Sequence, residues 1–195
     1  DIFQFLMKLE NCDFVEALKI LAKRANVTLT NQFNTQGAEL KEKIYSINKL
    51  AAEFYHYILT KHPLGKRAQE YLANRRIADS SITLFSLGYA PSSWDSLINF
   101  LLKKKYTFTD LDQAGLVSKG SSGKYFDRFR GRLMFTLKDA HGNVVGFAGR
   151  TLDPDAKEAK YINTAETPVY IKGNVLYGLD VNKDEIKKRN ESVIV

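Results

Sequence analysis

The sequence predicts an α+β fold, with a helical first part packed against a mostly antiparallel sheet from about Tyr125 onward. Three observations carry that expectation. Apolar residues recur at helical spacing in successive stretches up to about residue 118. From Tyr125 the pattern changes to period two, and Asp139-Ala140-His141-Gly142 lies between two such runs, where a hairpin turn belongs.

The elements follow in chain order. Asp13 with Glu16 has the spacing of a capping box, after which Phe14, Ala17, Leu18, Leu21, Ala22 and Ala25 repeat as a helix face. Asn31 to Gly37 is polar and without periodicity, a linker. A long helix is predicted from about Glu39, with Leu40, Ile44, Ile47, Ala51, Phe54 and Ile58 on one stripe and Pro63 as its stop. A shorter helix around Lys66 to Arg75 buries Ala68, Tyr71 and Leu72. Another starts near Ser93 and carries Trp94, Leu97, Ile98, Leu101 and Leu102 on one side. A brief helical turn ends at Gly115, and Gly120 to Gly123 is a flexible loop. Asp153 to Ala159 reads as a solvated polar loop, Val181 to Asn190 as a basic helix, and Ser192 to Val195 as the start of an apolar strand.

Composition narrows the function classes. The 195 residues are 44% hydrophobic and 26% charged, the balance of a globular domain with a real core. No apolar run approaches the ~20 residues of a membrane span, and the opening residues lack the pattern of a signal peptide. The start at Asp1 reads as an internal cut in a longer protein. Cys12 is the single cysteine, which excludes an intramolecular disulfide and a cysteine-rich zinc site within these residues, and fits a cytoplasmic setting. A net charge of +7 favours an anionic partner without naming one.

Three segments hold the candidate chemistry. In Arg128-Phe129-Arg130-Gly131-Arg132-Leu133-Met134-Phe135, read as a strand, Arg128, Arg130 and Arg132 share one face, and Phe129, Leu133, Phe135 and Leu137 the other. Guanidinium groups about 7 Å apart repel unless an anion such as a phosphodiester strand lies across them. The bland alternative pairs each arginine with a nearby carboxylate. In Val145-Gly146-Phe147-Ala148-Gly149-Arg150 the glycines mark a close approach, either of a ligand phosphate over Gly149 held by Arg150 or of packed protein. The segment Lys160-Tyr161-Ile162-Asn163-Thr164-Ala165-Glu166-Thr167-Pro168, with Lys172-Gly173, combines cations, an aromatic ring and hydrogen-bonding groups, which suits single-stranded nucleic acid or a nucleotide. His56, His62 and His141 have no metal-ligand spacing, and no phosphate-loop or serine-elbow motif occurs.

Taken in order, Asp1-Ile2-Phe3-Gln4-Phe5-Leu6-Met7, Asp13-Phe14-Val15-Glu16-Ala17-Leu18, Phe85-Ser86-Leu87-Gly88-Tyr89-Ala90-Pro91 with Trp94-Asp95, the arginine segment, Gly146-Phe147-Ala148-Gly149-Arg150-Thr151-Leu152-Asp153, the Lys160 to Gly173 segment and Leu176-Tyr177-Gly178-Leu179-Asp180 resemble the bacterial DnaG-type DNA primases across nearly the whole chain. The resemblance implies the following organisation: 1–30 the end of a zinc-module linker and a helix, 31–38 a linker, 39–190 the N-terminal subdomain of the catalytic core, and 191–195 the first strand of a TOPRIM subdomain. It implies a parent enzyme that makes short RNA primers from ribonucleoside triphosphates on single-stranded DNA. Arg130 and Arg132, with Arg128 beside them, would guide the template; Arg150, Lys160, Tyr161, Asn163 and Lys172 would meet template or nucleotide phosphates. The magnesium or manganese ions of the TOPRIM carboxylates, the zinc of the upstream module and the helicase contact of a C-terminal region are all expected outside these residues. This part is therefore expected to bind and not to catalyse, with no cofactor of its own. Two other readings stand beside it: a non-catalytic nucleic-acid-binding module of another replication protein, and a primase–helicase of phage or plasmid origin.

Overall fold

The computed structural model describes residues 1–10, 14–27 and 36–192. The chain divides into two compact units, Asp1–Glu39 and Leu40–Val195. In the first, helices α1 (Ile2–Glu10) and α2 (Phe14–Arg24) meet through the rings of Phe3 and Phe14, 5.3 Å apart. The expected cap at Asp13, Cys12 and the strand at 193–195 lie outside the described residues, as does most of the expected linker; Gln36 and Gly37 already belong to the next helix.

The second unit is built on a four-stranded antiparallel sheet in the order β1-β4-β5-β6, formed by Gly88–Ala90, Arg132–Lys138, Val144–Thr151 and Tyr161–Asn163. A separate ribbon pairs β2 (Val117–Lys119) with β3 (Tyr125–Asp127). Helices α3 (Gln36–Lys61), α4 (Lys66–Asn74), α5 (Asp79–Leu84), α6 (Ser96–Lys103), α7 (Phe108–Gln113) and α8 (Leu179–Arg189) complete it. The sheet thus recruits one strand, β1, from before Tyr125, and the ribbon another, β2. Three-residue strands such as β1 are too short to show a period, and α5, six residues of Asp, Ser, Ile, Thr and Leu, lacks a second apolar turn.

Both sheet faces are covered. Alternation along the strands sends Met134, Phe147 and Ala90 to a core shared with Ile47, Ala51 and Tyr55 of α3 and Leu97, Ile98 and Leu101 of α6. Leu133 and Tyr89 go to the other side, against Ile58 and Leu59 of α3, Leu72 of α4 and Ile82 of α5. Pro63 ends α3 as expected, by removing a donor and clashing with the preceding turn; it opens a 3-10 turn, Pro63–Gly65. His56, which lacks metal-ligand spacing to the other histidines, donates from Nδ1 to the Leu87 carbonyl at 2.7 Å.

The expected continuous strand with three arginines on one face is not formed. Residues 128–131 are irregular, and β4 begins at Arg132. Gly131 has φ of +59°, a left-handed conformation that resets the alternation, and its N–H bonds the Pro91 carbonyl. In consequence Phe129 and Leu133, expected on one face, enter opposite cores.

Arg132 is 2% exposed. Its Nη1 donates to the carbonyls of Gly149 (3.3 Å), Ala159 (3.0 Å) and Lys160 (3.3 Å), and its Nη2 to Glu158 at 3.0 Å. Gly149 makes room for this: a Cβ there would stand 2.8 Å from the Phe129 ring and 3.1 Å from Arg132 Cδ. The close approach read from the sequence is therefore one of packed protein, and no ligand phosphate fits on that side of Gly149.

Asp127, 3% exposed, closes β3. Its carboxylate accepts from the N–H groups of Leu97 (2.8 Å) and Ile98 (3.0 Å), capping α6 from another element. Burial pushes its pKa up to about 6, with Asp95 adding to the rise and the two N–H bonds and Arg130 opposing it. Tyr55, also deeply buried, feels the same negative charge.

Two predictions follow from this packing. Replacing Arg132 with Met strands buried carbonyls and costs about 3 kcal/mol. Thermal denaturation then shows Tm lower by roughly 6–12 °C; an unchanged Tm contradicts the buried network. For Asp127, a folded pKa above the ordinary 3.8 means its contribution to stability is greatest below pH 3.8 and is lost as pH rises to about 6. A carboxyl NMR titration is expected to show a midpoint near 6 for Asp127, and Asp127→Asn to flatten the pH dependence of stability across that window.

Candidate nucleic-acid interface

The break at Gly131 separates the three arginines by role. Arg132 lies beneath the surface. Arg130 stands above it, its guanidinium 4.2 Å from the centre of the Trp94 ring and 4.9 Å from that of Phe126. Those two rings meet edge to face, 5.3 Å apart. Arg130 Nη1 donates to the Asp127 carbonyl at 2.6 Å, and Nη2 is 4.0 Å from Glu158. Arg128 is half-buried; its Nε donates to the Asn163 carbonyl at 3.0 Å, and burial pulls its pKa below the usual guanidinium value.

Trp94 was expected on the buried side of a helix. It lies before that helix and is 62% exposed. An arginine lying on an exposed indole is held in place by a ring that does not cancel its charge. Such a pair offers a π surface and a cation together, the two groups that meet a base and its phosphate.

A second arginine–aromatic cluster lies on β5. The Arg150 guanidinium is 4.7 Å from the centre of the Tyr71 ring on α4 and 6.0 Å from that of Tyr161, its cross-strand partner on β6. Arg150 and Tyr71, together with Thr151, Asp153, Glu158 and Lys160, line a pocket of about 390 Å³. The loop over this pocket is fastened at both ends by arginines: Arg67 Nη2 donates to the Leu152 carbonyl at 3.0 Å, and Arg132 holds the carbonyls of Ala159 and Lys160. The expected solvated loop is thus held through Glu158, which is 67% exposed yet bonded to Arg132 and close to Arg130.

Of the residues singled out from sequence, Arg150 and Lys160 line the pocket, Tyr161 meets Arg150 across the strands, and Asn163 continues β6 beside Arg128. Lys172 is exposed on the 3-10 turn Lys172–Asn174, and no contact among the described residues ties it to this group. Trp94, Phe126, Tyr71, Asp127 and Glu158 were not found. For Trp94 the signal was present: Asp95-Ser96 is a helix start, which leaves position 94 outside the helix.

Among the described residues no group of three or more His, Cys, Asp or Glu side chains is placed to hold a metal ion. No described helix is long and apolar enough to cross a membrane.

Comparison with known proteins agrees with the resemblance. Residues 54–183 match the family described as DNA primase catalytic core, N-terminal domain. The chain is 38% identical to a DNA primase of Halalkalibacterium halodurans over 195 residues, covering 98% of this chain and 32% of that protein. It is 39% identical to a DNA primase of Staphylococcus aureus, covering 100% of this chain and 33% of that one. It therefore spans about a third of the length of these curated relatives. In structure it resembles the RNA polymerase domain of Mycobacterium tuberculosis primase DnaG, solved with a double-stranded DNA oligomer bearing a 6-nucleotide overhang: TM-score 0.74, 38% identity, 79% of this chain and 48% of that one. It also resembles the zinc-binding and RNA polymerase domains of the Aquifex aeolicus primase, with a TM-score of 0.69 and 31% identity over 97% of this chain and 44% of that one. The α+β architecture expected from the sequence is that of the primase core, and the chain belongs to the family of the N-terminal domain of the DNA primase catalytic core.

Proposed function

We propose that this chain is the template- and nucleotide-positioning part of a primase that builds short RNA primers on single-stranded DNA. The observation that carries the reading is the Arg130 guanidinium lying on an exposed Trp94, a base-stacking surface with a phosphate-binding charge attached. Arg130 receives template phosphates, with Arg128 beside it, and Trp94 and Phe126 receive bases. Arg132 serves the template from below, by holding the loop.

Arg150, Lys160, Tyr161 and Asn163, with Lys172 from its separate turn, meet phosphates of the incoming ribonucleoside triphosphate or of the adjoining template. Their part is to bind and orient, since two cations at a pocket edge, Arg150 held on Tyr71 and Lys160 beside it, lower the cost of bringing a polyanion into place. A setting in the cytoplasm, at the replication fork, belongs to the same reading. Support also comes from a DnaG primase catalytic domain solved with single-stranded DNA, to which this chain is 32% identical with a TM-score of 0.68.

Titration with a fluorescently labelled oligothymidine at several salt concentrations tests this. Binding is expected to weaken as salt rises, with a slope of roughly −0.7 for each phosphate contacted. Arg130→Ala is expected to weaken binding roughly tenfold and to make the slope shallower by about one contact, with Tm moving by less than roughly 4 °C. Affinity independent of salt, or an Arg130→Ala variant that binds normally, contradicts the proposal.

A further inference from the structure

We propose that Asp127 is the positioning residue of the template platform, fastening Trp94, Phe126 and Arg130 to one another through its backbone and carboxylate. The inference rests on the reading of that platform as a nucleic-acid contact, and it adds the residue on which the platform's geometry depends.

Three sets of bonds meet at Asp127. Its N–H donates to the Trp94 carbonyl at 2.7 Å. Its own carbonyl accepts from Arg130 Nη1 at 2.6 Å. Its carboxylate accepts from the N–H groups of Leu97 and Ile98, the start of the helix that Trp94 precedes. Phe126 is its neighbour in β3. Each member of the cage is therefore one bond from Asp127, and the stacking distances of Arg130 over the two rings follow from where that residue sits.

Helix capping alone does not account for this arrangement. Asp95 stands at the N-cap of α6, yet its side chain caps no N–H of that helix; it bonds the Ser93 hydroxyl at 3.0 Å instead. An exposed aspartate at that position is a common way to cap a helix. Here the cap comes from a different strand, by way of a carboxylate that is 3% exposed and costly to desolvate. The burial is explained if the carboxylate's task is to join elements: it locks the start of α6, and with it the Trp94 backbone, to the end of β3, and so to Phe126 and Arg130. The charged and titratable groups facing it are Asp95 before α6, Arg130 after β3 and Tyr55 of α3.

Trp94 is the single tryptophan of the chain, so intrinsic fluorescence reads the platform directly. The test compares Asp127→Asn, which retains one acceptor oxygen, and Asp127→Leu, which retains none. The control is Asp110→Asn, at another buried aspartate, which completes the capping box of α7 with Thr107 and pairs with Lys43, bonding none of Trp94, Phe126 and Arg130. Emission maximum, acrylamide quenching and oligothymidine affinity are measured below the melting temperature of each protein. Asp127→Leu is expected to shift Trp94 emission, raise its quenching and weaken oligothymidine binding roughly tenfold, with Asp127→Asn between it and the parent. Asp110→Asn is expected to lower Tm while leaving Trp94 emission and affinity unchanged.

If both Asp127 variants keep the parent's emission and affinity while losing stability, Asp127 is only a cap and the proposal is overturned. If Asp127→Leu does not fold, the same two readings on Asp127→Asn decide the matter. Should the parent chain bind no oligothymidine, the function proposed for the platform fails. Trp94 emission in the two variants still decides whether Asp127 sets its position.

Discussion

A guanidinium taken out of water is stable only when its N–H groups find oxygen, and Arg132 finds it in three backbone carbonyls and one carboxylate. Those four partners come from β5 and from the loop that leads into β6. The side chain therefore ties the first residue of β4 to the far end of the loop, across the strand between them. Gly149 is part of the same arrangement, because a side chain there would collide with the Phe129 ring and the arginine stem. The left-handed turn at Gly131 then sends the chain before β4 out of the sheet's alternation, and Arg130 onto the Trp94 ring.

One buried cation thus organises two partly buried ones. Glu158 bonds the buried Arg132, stands near Arg130 on one side and lines the Arg150 pocket on the other. Both arginine–aromatic clusters share a design in which the cation rests on rings: Arg130 on Trp94 and Phe126, Arg150 on Tyr71 and Tyr161. Rings hold a guanidinium in place and leave its charge available, whereas a close carboxylate cancels it; Glu158 stands 4.0 Å from Arg130, at the outer limit of an ion pair. A surface meant to receive phosphates gains from the first arrangement. In the second, a phosphate has to displace a bound anion.

Much of the architecture was legible in the residues. The long helix ended by Pro63, the hairpin at Asp139 to Gly142 and the basic helix near the end follow from periodicity and turn chemistry, which are local properties. What was not legible depended on contacts distant in sequence. The three arginines alternate perfectly as text, and only the φ of Gly131 and the carbonyls of a loop some 27 residues onward decide that Arg132 goes inward. The capping of α6 by Asp127, 30 residues away, leaves no local signature either. Trp94 was misplaced for the opposite reason: its spacing from Leu97 and Ile98 fits a helix face, and the start signal at Asp95-Ser96 outranks that spacing.

The central claim is that nucleic acid lies on the Trp94–Phe126–Arg130 surface. Photocrosslinking with a single-stranded DNA carrying 5-iodouracil, mapped by mass spectrometry, tests it most directly, because the halogenated base reacts with aromatic side chains it touches. The account predicts crosslinks to Trp94 or Phe126, with Tyr161 as a further site. Crosslinks confined to other surfaces, such as the basic helix Leu179–Arg189, would contradict it.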